Sequence, residues 1–169
     1  LTGVGGQGIG LISEIILRAA DHAGHRVKGV DTHGLAQRGG IVVSQVRIGE
    51  FLSPLIPAGE ADLVVALERH EALRGMNAAL RDGGTLVYYN TVWQPLDVRL
   101  GLENEVGGEI VSEQCRTRNI IEIRVEDPTL PDARMQNIAL LAEIDSKGLI
   151  PNVMTCHYKA AMCDLMTGE

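Results

Sequence analysis

TGVGGQG, residues 2–8, is the stretch on which the fold turns. Gly3, Gly5 and Gly8 satisfy G-x-G-x-x-G, and Gly6 adds a fourth glycine. At that spacing a strand turns sharply into a helix, and backbone N–H groups are left clear of side chains where an anion can approach. The flanks agree. From Ile9 to Ala23 the apolar positions 9, 12, 16, 19, 20 and 23 recur at helical spacing, with Leu11, Ile15 and Leu17 widening the stripe, so the helix should be deeply packed. Gly24 is placed to end it. RVKGVD, residues 26–31, reads as a short strand. Strand, glycine loop, helix, strand is the start of a doubly wound sheet. Only Leu1 and Thr2 precede the loop, where a strand ordinarily runs about five or six residues, so its beginning is expected to lie outside this sequence.

Further along, THGLAQRGG (32–40) has no helical stripe and reads as a loop. IVVSQVRI (41–48) alternates, with Val42, Val46 and Ile48 on one face and Gln45 and Arg47 on the other, as suits a strand near a sheet edge that can run antiparallel. After a loop marked by Pro54 and Pro57, DLVVAL (62–67) is a strand buried on both faces, followed by a helix over 69–80. Asp82-Gly83-Gly84 turns the chain into a strand at TLVYY, 85–89. Residues 110–116 fit helix or strand, IIEIRV (120–125) reads as a strand, and helices are expected over 133–147 and 152–166, separated by Gly148 and Pro151. The expected fold is one α/β domain over residues 1–169. Its sheet is doubly wound and mostly parallel, with helices on both faces and room for one antiparallel edge strand.

Composition narrows the function classes. Aromatic residues make up 3% against 45% hydrophobic, so the core is built from Val, Ile, Leu and Ala, as in parallel sheets covered by helices. A formal net charge of -7 and the lack of a basic stripe exclude a nucleic-acid backbone as the main partner. A phosphate-bearing small ligand is not excluded, because a helix N-terminus binds it locally. No apolar run reaches the roughly 20 residues of a membrane span, and no secretory signal is visible. Cys115, Cys156 and Cys163 are isolated, with neither zinc nor iron–sulfur spacing. They suit a reducing cytoplasm, and any electrons in the chemistry pass through something bound elsewhere.

Three readings of the glycine loop stand side by side. It can hold the phosphate of a ligand. It can hold NAD, with Asp31 near the place of the ribose-binding acid. Or the glycines only allow a helix to pack closely on a strand. His33, Gln37 and Arg38, among Gly34, Gly39 and Gly40, are expected on the same rim of the sheet, where the loops after the strands collect. There an amide and a guanidinium can bind a phosphate or carboxylate, or bond to a partner chain's backbone. The plainer alternative is a local salt bridge for Arg38 and a turn cap for His33.

GVGGQG (3–8), HGLAQRGG (33–40) and VVSQVRIG (42–49), in that order, resemble the gamma-type domain of the 2-oxoacid:ferredoxin oxidoreductases. Within that family the H-G-x-A-Q-R-G-G form is most similar to the beta subunit of the indolepyruvate branch. The resemblance is ordered over the first 50 or so residues, extends through the second βαβ unit and thins beyond it; no site residue is assigned in 97–125. It implies a subunit that is not active alone in a complex that oxidatively decarboxylates a 2-oxoacid to an acyl-CoA. Thiamine diphosphate, Mg and iron–sulfur clusters would sit on a larger partner subunit, and electrons would pass on to ferredoxin. The resemblance further implies that Gly5, Gly6, Gln7 and Gly8 hold the phosphates of coenzyme A, with Arg38 as counter-charge. His33, Gln37, Gly39 and Gly40 would form the surface toward substrate or partner. A self-contained NAD-dependent dehydrogenase and a non-catalytic interaction module remain the alternatives.

Overall fold

The computed structural model describes residues 1–33, 40–92, 100, 105–132 and 135–167, with backbone alone at 32 and 33. Six strands form one sheet: β1 (Thr2–Val4), β2 (Val27–His33), β3 (Ile41–Ile48), β4 (Ala61–Ala66), β5 (Leu80–Tyr89) and β6 (Ile121–Val125). The helices are α1 (Ile9–His22), α2 (Arg69–Ala78), α3 (Gly108–Thr117), α4 (Gln136–Ser146) and α5 (Thr155–Thr167). None of the described helices is long and apolar enough to cross a membrane.

The strands lie in the order β2-β3-β1-β4-β5-β6. Pairings β1–β4, β4–β5 and β5–β6 are parallel, whereas β3 runs antiparallel to both β1 and β2. The antiparallel strand is thus one place in from the edge, and β2 takes the edge itself. The alternation read in 41–48 is real. Val42, Val46 and Ile48 pack toward the main core. On the opposite side, Gln45 Oε1 accepts from Ile56 N–H and Arg47 bonds the carbonyls of Ser53 and Leu55. Lys28 and Asp31 are exposed on β2, the charged character expected of a strand left at an edge.

Consecutive residues of β4 and β5 point to opposite faces, so each strand feeds two cores. Val65, Leu67, Val87 and Tyr89 pack against α1, α4 and α5 in one cluster. Val64, Ala66, Leu86 and Tyr88 pack against α2 and α3 in the other. Both faces of the sheet are therefore covered, which is why these segments read as unbroken apolar runs.

Boundaries shift where long-range pairing overrides local signals. β5 begins at Leu80, and the Asp82-Gly83-Gly84 turn is an excursion inside it: Ala61 pairs with Leu80, but Leu63 pairs with Thr85. Gly83 takes φ 71° there. Leu80 is fully buried and opens β5 rather than ending a helix, so α2 stops at Ala78. The ambiguous 110–116 segment is helical: Val111 and Cys115, four apart, both face the second core.

α1 leaves the carboxyl end of β1 toward one face, and α2 leaves the carboxyl end of β4 toward the other. β1 and β4 are neighbours. The crevice between their carboxyl ends is the switch point at which open α/β sheets bind ligands.

Candidate functional site

The glycine loop occupies one side of that crevice. Gly3 is required by contact: a Cβ there would lie 2.8 Å from Ile9 Cδ1 and 3.0 Å from Gln7 Oε1. Gly6 and Gly8 are required by conformation, with φ 103° and 86°. Gly8 is the N-cap of α1 and offers no side chain to its first turn, which carries no acidic residue either. The N–H groups of Gly6, Gly8, Ile9 and Gly10 make no hydrogen bond to any described residue. A Cβ at Gly6 or Gly10 would meet nothing within 4 Å, so space lies open beside those two residues. Unpaired N–H groups at the positive end of a helix with open space before them favour an anion.

The other N–H groups of the loop are spent on shape. Gly5 N–H donates to the Gly40 carbonyl at 2.8 Å, and Gln7 N–H to the Val4 carbonyl at 3.1 Å. Gln7 is 8% exposed and its amide points inward. Its Oε1 accepts from Val4 N–H at 2.7 Å, and its Nε2 donates to the Leu67 carbonyl at 3.4 Å. Gln7, counted above among the ligand contacts, is a strut between the ends of β1 and β4.

The second glycine-rich segment is anchored at both ends to this rim. His33 pairs with Val42 and Ile41 pairs with Val4, while the Gly40 carbonyl holds Gly5. Gln37, Arg38 and Gly39 lie outside the described residues, as does the side chain of His33. Asp31 lies inside β2, not at its end, and its carboxylate accepts from Ser44 Oγ. β3 is interposed between β2 and β1. A ribose-binding acid belongs on the strand next to the glycine loop, so the interposed strand weighs against the NAD reading.

Across the crevice sits a buried polar cluster that sequence reading missed. Glu68 is the N-cap of α2, and its Oε1 accepts from Glu71 N–H. Its Oε2 is 3.0 Å from His70 Nδ1. His70 Nε2 accepts from Val106 N–H at 3.1 Å, so in the neutral ring Nδ1 carries the proton and donates to Glu68. Glu71 is fully buried. Its Oε2 accepts from Thr2 Oγ1 at 2.6 Å, and burial raises its pKa above the ordinary 4.5 against the opposing pull of Thr2 and Arg74. The available signal was Glu68-x-x-Glu71, the spacing of an N-cap and its third residue, one position before the helix expected from periodicity. On the far side of α2 an open hollow of about 510 Å³ is lined by His70, Leu73, Arg74, Asn77, Ala78 and Val106; no residue of the glycine loop lines it.

Among the described residues no three His, Cys, Asp or Glu side chains gather to hold a metal ion. Cys115 is buried beside Met76, and Cys156 and Cys163 are exposed on α5.

Fold and rim together define a doubly wound α/β domain with a glycine loop at its switch point. The family model described as pyruvate ferredoxin/flavodoxin oxidoreductase matches residues 1–156, and the chain belongs to that family. It is 53% identical over 91 residues to a protein of Archaeoglobus fulgidus named indolepyruvate oxidoreductase subunit IorB, covering 54% of this chain and 44% of that one. The protein of the same name from Thermococcus kodakarensis is 39% identical over 103 residues, 60% of this chain and 50% of that one. The chain spans about half the length of these relatives. Among solved structures, the gamma subunit of a keto/oxoacid ferredoxin oxidoreductase from Geobacter sulfurreducens superposes with a TM-score of 0.55 at 21% identity, over 95% of this chain and 81% of that one. A 2-oxoglutarate:ferredoxin oxidoreductase from Magnetococcus marinus, solved with 2-oxoglutarate, coenzyme A and succinyl-CoA bound, superposes with a TM-score of 0.64 at 18% identity, over 99% of this chain and 26% of that one. At these identities the structural likeness speaks for the fold.

Proposed function

We propose that this chain is the subunit without iron–sulfur clusters of a thiamine-dependent 2-oxoacid:ferredoxin oxidoreductase of the indolepyruvate branch, acting as one α/β domain over residues 1–169, and that its glycine loop holds the phosphates of coenzyme A. The supporting observation is the row of N–H groups at Gly6, Gly8, Ile9 and Gly10 that have no partner among the described residues, at a switch point with open space beside Gly6 and Gly10. Gly5 and Gln7 shape the loop, and Arg38 is assigned as counter-charge on the segment that Gly40 ties to it. His33, Gln37, Gly39 and Gly40 face substrate or the larger subunit. That larger subunit carries thiamine diphosphate, Mg and the clusters, and ferredoxin takes the electrons in the cytoplasm. The overall reaction balances as 2-oxoacid, coenzyme A and two oxidised ferredoxins giving acyl-CoA, CO₂, two reduced ferredoxins and a proton. The names of the relatives favour an arylpyruvate as substrate.

The test is co-expression with the thiamine-binding chain, followed by calorimetric titration with coenzyme A and steady-state kinetics. The complex should bind coenzyme A, and Arg38→Ala should raise its KM about tenfold or more, as loss of a charge-assisted hydrogen bond requires. Micromolar NAD(H) binding with no co-purifying larger chain would overturn the proposal.

A further inference from the structure

The loop has a neighbour far away in sequence. A Cβ built on Gly8 would lie 2.9 Å from Nδ2 of Asn137, the second residue of α4. Asn137 is 6% exposed. Its Oδ1 accepts from Ile138 N–H at 2.8 Å, while its Nδ2 donates to no acceptor among the described residues. The amide lies against the one residue, Gly8, whose left-handed backbone opens α1. α4, like α1, has no side-chain bond at its N-cap. Two helices whose N-cap residues make no side-chain bond therefore meet at Gly8, and between them stands the largely buried Asn137, whose Nδ2 has no acceptor among the described residues.

We infer that Asn137 is a ligand-binding residue: its Nδ2 donates to the same phosphate-bearing anion that the amides of Gly6, Gly8 and Ile9 hold. The inference rests on the proposed anion site at the glycine loop and adds a side-chain donor from the opposite end of the chain. It also gives Gly8 a second reason to be glycine. Any side chain there would occupy the position of the donor as well as strain the backbone. The ligand chemistry is a phosphate or pyrophosphate oxygen, acceptor only and negatively charged. A carboxamide suits such an oxygen, and a carboxylate in its place would repel it.

The co-expressed complex would be titrated calorimetrically with coenzyme A, and separately with inorganic pyrophosphate, using wild type, Asn137→Ala and Asn137→Asp. The Asp variant keeps the shape and the acceptor for Ile138 N–H, and a negative charge near a helix N-terminus is favourable, so its melting temperature should be retained. Both variants should bind coenzyme A at least about tenfold more weakly, the Asp variant more so. If Asn137→Ala binds coenzyme A as wild type does, the inference falls and the coenzyme A reading stands, even if Asn137→Asp is impaired by repulsion. If the wild-type complex binds neither coenzyme A nor pyrophosphate, both fall.

Discussion

Replacing Gln7 by Ala should destabilise the fold rather than merely weaken a ligand. Val4 is 3% exposed, and its N–H donates to Gln7 Oε1 at 2.7 Å. Without that acceptor a buried donor is left unpaired, which costs about 1–3 kcal/mol. The Leu67 carbonyl loses a donor at 3.4 Å, a long bond worth less than about 1 kcal/mol. The expected loss is thus about 1–4 kcal/mol, or roughly 2–15 °C in melting temperature for a chain of this size. Gln7→Met separates the hydrogen bonds from the volume, since it fills the space and makes neither bond; it should lose nearly as much. Urea denaturation followed by circular dichroism, with the slope unchanged, measures both variants. If both stay within about 0.5 kcal/mol of wild type, Gln7 is not a strut, and a role in ligand contact returns.

Two further substitutions probe the rim from the α2 side. Burial raises the pKa of Glu71, so the stability it contributes is present below about its ordinary 4.5 and lost as pH rises through the raised value. Glu71→Gln removes that loss, and its stability relative to wild type should climb with pH above 4.5; a difference that stays flat with pH would refute the raised pKa. Gly75→Ala would place a methyl 2.8 Å from Thr2 Cγ2 and 3.0 Å from Val64 Cγ1. Overpacking of about 1–3 kcal/mol should outweigh the roughly 1 kcal/mol that Ala gains in a helix. Thermal melting should show a net loss, and a gain would mean that α2 can move off the sheet.

Local patterns carried most of the architecture. The period-2 run at 41–48 and the helical stripe from Ile9 each mark which residues face a core, and the unbroken apolar run at 62–67 marks a strand covered on both faces, because side-chain direction follows from backbone geometry alone. The helix ends were harder to read. Glu68 caps α2 with a carboxylate instead of the more familiar Ser or Thr, and Leu80 fits a helical stripe until its pairing with Ala61 places it in the sheet. The candidate site was legible as a loop and not as a set of contacts. Four glycines announce exposed amides, but the sequence does not say that Gly5 and Gln7 spend theirs on Gly40 and Val4.

By itself the sequence determined the α/β class, the two-faced strands and the glycine turn into α1, all of which depend on residues within a few positions of one another. Only the tertiary structure decided that β3 separates β2 from β1, that Gln7 points inward, and that Asn137 comes to rest on Gly8. Those outcomes depend on which distant groups satisfy one another's hydrogen bonds once water is excluded, and no local period encodes that pairing.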